Sequence, residues 1–329
     1  MAEASYSALV TGGAGFIGSH IAQRLLALGH RVRIVDNLST GFRENVDAAA
    51  GGGEIDFIEG DLRDPSVCKA GVRAVDVVFH VAALPSVPRS LRDPIGSHES
   101  NVTATLNVLE AARHAGVRRV VYSSSSSVYG DTSVLPKTEP VELLPKSPYA
   151  AAKLAGELYT LAYARAGLVE GVALRYFNVF GPRQDPNGPY AAVIPLFMRA
   201  ALTGSVATLF GDGSQTRDFT YIDNVVAANM LAATEPAARV SGSVVNCGAG
   251  QRTSLLELIA RIETLTGKRV AVEHRAPREG DVRDSQAGLD RARAVLGYAP
   301  HVSLEEGLRR TWEWIQATSD TTPVLSNSR

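Results

Sequence analysis

The sequence predicts a doubly wound α/β protein, a mostly parallel sheet covered by helices on both faces, joined to a smaller mixed α/β region. Three observations predict it. Short β-branched runs alternate with longer helical patterns through the first half of the chain. The strands are apolar along their whole length instead of alternating with polar residues, as expected of a sheet buried on both sides. The chain has 329 residues, 45% hydrophobic and 20% charged, enough for one large or two modest domains with an ordinary soluble core.

The elements follow in order. Ala8-Leu9-Val10 forms the first strand, and a helix runs from about Phe16 to Leu28 and stops at Gly29. Arg31–Val35 and Glu54–Ile58 read as the second and third strands. Val75–Val81 is the fourth, apolar apart from Asp76 and His80. A helix from Asn101 to Ala115 ends at Gly116. Arg119–Tyr122 is the fifth strand, Tyr149–Ala166 a long Ala-rich helix, and Val172–Tyr176 the sixth strand.

Beyond Asn178 the character changes. Residues 181–189 hold too many Gly, Pro, Asn and Asp for a regular element. Pro195–Leu202 and Ser254–Thr266 are amphipathic helices, the second with Ser254 and Glu257 spaced as a capping box. A terminal helix, Leu304–Thr318, carries Trp312 and Trp314, and a Ser/Thr-rich tail covers 318–329.

The 33 basic and 34 acidic side chains nearly cancel, at a net charge of −1, so bulk attraction to nucleic acid or an anionic membrane is not expected. Cys68 and Cys247 form no paired motif, and the seven histidines show no ligand spacing, so no metal is expected. A core-like strand begins at Ser7 with no basic-then-apolar leader before it. No apolar run approaches the ~18 residues of a membrane span. A cytoplasmic location is expected.

The first strand runs into Thr11-Gly12-Gly13-Ala14-Gly15-Phe16-Ile17-Gly18. Gly12 permits a tight turn, Gly15 lets a pyrophosphate approach the backbone, and Gly18 lets the helix pack against the sheet. The free N–H groups at the start of the helix, around Phe16 and Ile17, favour an anion. Asp36 ends the second strand, 18 residues beyond Gly18. A carboxylate there can accept both hydroxyls of an adenosine ribose and repels a 2′-phosphate, favouring NAD over NADP. The plainer alternative is that Asp36 caps the turn at Asn37. Asp61-Leu62 and Ala82-Ala83 follow the third and fourth strands, where sheets of this class bind ligands. Asp61 can accept from an adenine amino group, and the alanines leave room for a cofactor.

Five serines, Ser123–Ser127, stand at the end of the fifth strand, and Tyr149 and Lys153 follow with helical i, i+4 spacing. Alone, such a pair is often a helix-surface contact. After a dinucleotide turn and a serine-bearing strand end, it suggests a general base. The ammonium is expected to draw the phenol pKa from about 10 toward neutrality, with a serine holding the reacting oxygen.

Taken together, the sequence resembles the extended short-chain dehydrogenase/reductases, more narrowly the NAD-dependent nucleotide-sugar 4-epimerases. The matching features are TGGAGFIGSH at 11–20, SSSSSVYGD at 123–131, SPYAAAK at 147–153, LRYFNVFGPRQDP at 174–186, QTRDFTYIDN at 215–224 and REGDVRDS at 278–285. The resemblance implies a Rossmann domain for NAD from 1–177 with 218–249, and a nucleotide-sugar domain from 178–217 with 250–317. It implies Ser125 as the serine on the reacting hydroxyl with Ser126 beside it, Tyr149 as base and Lys153 on the nicotinamide ribose. Asn178 binds the nucleotide diphosphate, Ala192 and Val193 meet the nucleotide, Arg217 and Arg278 clamp the diphosphate, and Asp281 takes the uridine ribose.

The implied reaction is reversible 4-epimerisation of a UDP-hexose with resident NAD. Dehydratases of this scaffold carry Thr-Asp-Glu where this chain has Ser125, Ser126 and Ser127, which disfavours elimination. A UDP-glucuronate epimerase or decarboxylase remains an alternative, as does a non-enzymatic NAD sensor, which would usually lack the Tyr or Lys. In the resembling family the Asn101–Ala115 and Tyr149–Ala166 helices form a four-helix dimer interface, so a homodimer is expected. Members with a tyrosine four residues after the Asp of Glu-Gly-Asp are limited to plain hexoses. That position is Ser285, which implies room for a 2-acetamido group.

Overall fold

A computed structural model describes residues 5–186, 192–277 and 282–319. Seven parallel strands form the central sheet: β1 (Ser7–Thr11), β2 (Arg31–Asp36), β3 (Asp56–Glu59), β4 (Val77–His80), β5 (Arg119–Ser125), β6 (Glu170–Tyr176) and, after four two- to four-residue strands, β11 (Ser243–Cys247). Their spatial order is β3-β2-β1-β4-β5-β6-β11. The order reverses beside β1, so the chain leaves a crevice at the carboxyl ends of β1 and β4, where such sheets bind ligands.

Both faces of the sheet are dry. Ala8 and Val10 pack to one side with Ile21 and Leu25 of helix α1 (Phe16–Ala27) and Val46 of α2 (Arg43–Ala50). Leu9 points the other way, toward Cys68 of α3 (Pro65–Gly71) and Val108 and Leu109 of α6 (Ala104–Ala115). This two-sided burial explains why the strand sequences show no polar alternation. Two short helices, α4 (Val87–Arg92) and α5 (Pro94–His98), and a π-helical turn at Glu99–Thr103 lead into α6, two residues ahead of the expected start at Asn101. Gly116 closes α6 in a left-handed conformation, as its sequence position suggests.

The long helix α7 (Pro148–Arg165) starts where Ser147 Oγ accepts the Ala150 N–H at 3.2 Å, with Pro148 in the first turn. It therefore begins immediately before Tyr149. The rest of the chain adds β7 (Val179–Phe180), α8 (Val193–Thr203), β8 (Ala207–Phe210), β9 (Thr216–Arg217), β10 (Thr220–Tyr221), α9 (Ile222–Thr234) and α10 (Ala237–Val240). After β11 come β12 (Thr253–Ser254), α11 (Leu255–Thr266), β13 (Val272–Arg275), α12 (Asp290–Leu296) and α13 (Leu304–Ser319). Parallel β8 and β13 form a small second sheet. Ser254 and Glu257 make the anticipated reciprocal capping box on α11. The terminal helix α13 continues through Thr318 and Ser319, two residues into the segment read as a tail.

Candidate active site

A cleft of about 680 Å³ opens along the carboxyl ends of the strands, within the size range of small-ligand sites. The β1–α1 turn forms one wall. Gly12 is left-handed (φ 69°), and a Cβ on it would fall 2.7 Å from Ala82 Cα. Gly18 passes so close to Gly12 that a Cβ would lie 2.2 Å from the Gly12 carbonyl oxygen. Gly15 differs: among the described residues, the Gly12 carbonyl oxygen, at 3.2 Å, is the only close neighbour its Cβ would meet. Its missing side chain leaves open space ahead of a helix whose N-cap, a glycine, offers no side-chain cap. This is an arrangement for an anion.

Asp36 is buried at the end of β2. One carboxylate oxygen accepts the Ala14 N–H at 3.0 Å and the other the Leu38 N–H at 2.8 Å. Burial raises its pKa, and these two bonds oppose the rise. The turn-capping alternative thus describes part of its surroundings, but the residue also lines the cleft. Asn37 donates to Asp61 at 3.0 Å, and Arg63 holds the Asp61 carboxyl down at about 2. Asn37, Asp61, Leu62, Ala82 and Ala83 all line the cleft with Gly12, Gly15, Phe16, Ile17 and Gly18.

The structure sorts the five serines. Ser123 Oγ pairs with the Tyr176 hydroxyl at 2.9 Å, and Ser124 Oγ donates to Glu157 at 2.6 Å, both buried. At Ser126 the backbone leaves the strand for a 3₁₀ turn, Ser126–Tyr129, which turns Ser125, Ser126 and Ser127 to the cleft. Ser125 Oγ accepts the Ser127 N–H (3.2 Å) and Ser127 Oγ–H (2.9 Å), leaving its own proton to donate. Its side chain also interacts with the Tyr149 phenol and favours phenolate.

The anticipated coupling of Tyr149 and Lys153 is corrected. Burial pushes the Tyr149 phenol up to about 12, with the Ser125 side chain opposing. Lys153 is driven down to about 7 by burial, with Glu157 one turn further along opposing. The Lys153 Nζ lies over the Tyr122 ring, 4.7 Å from its centre. Desolvation of the charged form is the larger cause of both shifts. A cationic ligand ring beside the phenol favours phenolate.

The diphosphate-side residues divide. Asn178 (φ 25°), Ala192, Arg217 and Ser285 line the cleft. Val193, the first residue of α8, instead packs against the core. The Arg217 guanidinium donates to the Thr216 and Arg283 carbonyls, both at 2.9 Å. Arg278 and Asp281 lie outside the described residues.

Sequence reasoning missed the segment Leu84–Ser86 and Arg183, which also line the cleft. Ser86 (φ 110°) and Arg183 (φ 65°) are left-handed non-glycine residues, a conformation that concentrates at functional sites. Among the described residues, Nη1 of Arg183 is buried with no acceptor. Arg183 lines the same cleft as the helix start, and a guanidinium there suits a phosphate-bearing ligand.

Residues 8–248 match the family described as "NAD dependent epimerase/dehydratase family". A UDP-glucose 4-epimerase of Mycolicibacterium smegmatis is 42% identical over 94% of this chain and 99% of its own length. Among solved structures, the UDP-glucose 4-epimerase of Thermotoga maritima with UDP-glucose has a TM-score of 0.89 at 38% identity. It aligns over 95% of this chain and 99% of that one. The UDP-N-acetylglucosamine 4-epimerase of Methanobrevibacter ruminantium M1, in complex with UDP-N-acetylmuramic acid, scores 0.88 at 37% identity with the same coverage.

Proposed function

Because the chain belongs to the NAD dependent epimerase/dehydratase family, we propose that it interconverts UDP-hexoses by inversion at C4, with NAD held throughout the cycle. The observation that carries this reading is the meeting of Tyr149 and Ser125 at a strand end that offers three hydroxyls and no carboxylate. An elimination needs an added acid and base at that place.

The residues suited to NAD are the glycine turn with Phe16 and Ile17 at the diphosphate, Asp36 and Asn37 at the adenosine ribose, and Asp61 and Leu62 at the adenine. Ala82, Ala83, Tyr149 and Lys153 serve the nicotinamide half. Bound NAD supplies a cationic acceptor that takes hydride from C4 and returns it. Tyr149 takes the O4 proton and later gives it back, while Ser125 donates a hydrogen bond to the same oxygen. Ser126 stands beside it. Asn178, Ala192, Arg217, Arg278 and Asp281 hold the UDP portion, so that the 4-keto sugar can turn while its nucleotide stays fixed. Residues 1–177 with 218–249 form the NAD domain on this reading, supported by β11 lying in the main sheet. Residues 178–217 with 250–317 form the sugar domain.

Incubating the protein with a panel of UDP-sugars, no cofactor added, tests the reading by NMR of the products. C4 epimers should accumulate to equilibrium with no net NADH. Stoichiometric NADH, loss of carbon dioxide from UDP-glucuronate, or no conversion would count against it.

Asp36→Ala should reduce NAD affinity about tenfold or more, as expected for loss of a charge-assisted hydrogen bond, and should narrow the gap to NADP. Titration of both cofactors into apoprotein reads this out. Tighter NADP binding by the unmodified protein would remove the role given to Asp36.

We also infer a homodimer. Leu158 and Tyr159 of α7 are exposed, and so are Leu91 and Ile95 on the short helices that pack against α7. Such apolar exposure suits a helix-to-helix interface. Light scattering should give about twice 34.9 kDa; a monomer mass at micromolar protein would refute it. No helix among the described residues is long and apolar enough to cross a membrane. Two buried free cysteines support a reducing, cytoplasmic setting.

A further inference from the structure

Thr11, His80 and Tyr122 are register partners on β1, β4 and β5 and therefore share one face of the sheet. His80 is 1% exposed, and nothing in the mechanism above uses it. Its Nδ1 lies 2.8 Å from Thr11 Oγ1 and its Nε2 2.9 Å from Thr105 Oγ1.

The neighbours decide which nitrogen carries the proton. Thr105 Oγ1 lies 2.7 Å from the Asn101 backbone carbonyl. A carbonyl only accepts, so the Thr105 proton points there and Nε2 must donate to Thr105. At the other end, Thr11 Oγ1 accepts the N–H groups of Val81 and Ala82, both at 3.2 Å. Its own proton therefore goes to Nδ1. The two ends independently require the same neutral Nε2–H imidazole. Burial, together with the Lys153 ammonium, pushes the His80 pKa down to about 3, which keeps the ring neutral.

The chain of bonds returns on itself. The Asn101 side chain accepts the Leu84 N–H at 3.0 Å and donates to the Leu84 carbonyl at 3.3 Å and the Ser97 carbonyl at 2.8 Å. Asn101 lies in the π-helical turn before α6, a local geometry frequent at functional sites. Both ends of Val81–Leu84 thus hang from hydrogen bonds that meet at Asn101: the series from Thr11 through His80 and Thr105 ends on its backbone carbonyl, and its side-chain amide holds Leu84. That segment lines the cleft and brings Ala82 against Gly12.

We propose that His80 is a positioning residue for the cofactor. Its fixed Nε2–H tautomer closes a hydrogen-bonded ring through Thr11, Thr105, Asn101 and Leu84 that holds the Val81–Leu84 floor against the glycine turn. The proposal rests on reading this cleft as the NAD site. It makes Thr105, which does not line the cleft, a determinant of cofactor affinity through the ring alone.

The test titrates NAD, and separately UDP, into apoprotein of the unmodified chain, Thr105→Val, Thr105→Ser, His80→Gln and the double variant His80→Gln/Thr105→Val. Thr105→Val should weaken NAD about tenfold, Thr105→Ser should restore it, and UDP affinity should stay within about twofold. The double variant should lose little more than either single one, because both break the same ring. Nitrogen-15 NMR of the apoprotein should show His80 protonated at Nε2 alone and not titrating between about pH 5 and 9. Equal NAD affinity in Thr105→Val and Thr105→Ser, parallel loss of UDP and NAD, additive losses, or an Nδ1–H ring would each overturn the proposal. Failure of the unmodified protein to bind NAD would remove the proposed function and this inference with it. A cofactor-competent protein indifferent to Thr105 would remove the inference alone.

Discussion

Replacing Tyr149 with phenylalanine is expected to lower turnover by at least ~10²-fold, the usual loss when a general base is removed, while folding and NAD retention stay intact. The phenyl ring keeps the packing of the first turn of α7, and only the hydroxyl that meets Ser125 disappears. The expected defect is therefore in turnover and not in binding. In the chain by itself the phenol stands at about 12 and Lys153 at about 7, so the free pair is a poor base near neutral pH. Positive charge brought by a bound cofactor ring would favour phenolate. Single-turnover kinetics with UDP-glucose, beside NAD content by absorbance, provide the check. Near-normal turnover in the variant would sink the assignment of Tyr149.

The second large effect concerns which sugars can turn over. Ser285 is buried at the cleft wall with Arg217, Val282 and Lys137, and its N–H donates to the Thr216 carbonyl at 3.2 Å. That backbone bond fixes where a longer side chain would project. A tyrosine ring there enters a close-packed wall at a cost of about 1–3 kcal/mol, and it takes the space that a 2-acetamido group needs as the keto sugar turns. We expect the unmodified protein to act on both UDP-GlcNAc/UDP-GalNAc and UDP-glucose/UDP-galactose. Ser285→Tyr should abolish the acetamido pair selectively. Equal loss on both pairs, or no acetamido activity before the change, would refute a gatekeeper at this position.

Much of this architecture is legible in the sequence where local chemistry and tertiary need coincide. Gly12, Gly15 and Gly18 follow an apolar strand and precede a periodic helix, and Tyr149 and Lys153 share a helical face whatever surrounds them. The seventh strand, Ser243–Cys247, is not legible in this way. Five residues with Ser and Asn among them carry little strand pattern, and pairing with β6 defines it. The serine run shows the same limit: its composition is uniform, and only Tyr176, Glu157 and the 3₁₀ turn distinguish its members. Ser86 and Arg183 belong to irregular backbone, where no period exists to read. The Tyr149 shift runs opposite to expectation because spacing reports a neighbouring charge but not the desolvation of the phenol.

The position of β11 has a consequence for how the protein is made. β6 ends at Tyr176, but the strand that covers its outer edge begins only at Ser243. At roughly 5–20 residues per second of synthesis, a nascent chain spends several seconds with that edge bare after the first six strands have emerged. Within β6, Arg175 is occupied by Glu157 of α7, through bonds of 2.6 and 3.0 Å. A charged residue committed to the helix side makes the waiting edge a poorer template for a neighbouring nascent chain. The order of synthesis thus places a buried ion pair ahead of the strand that completes the sheet.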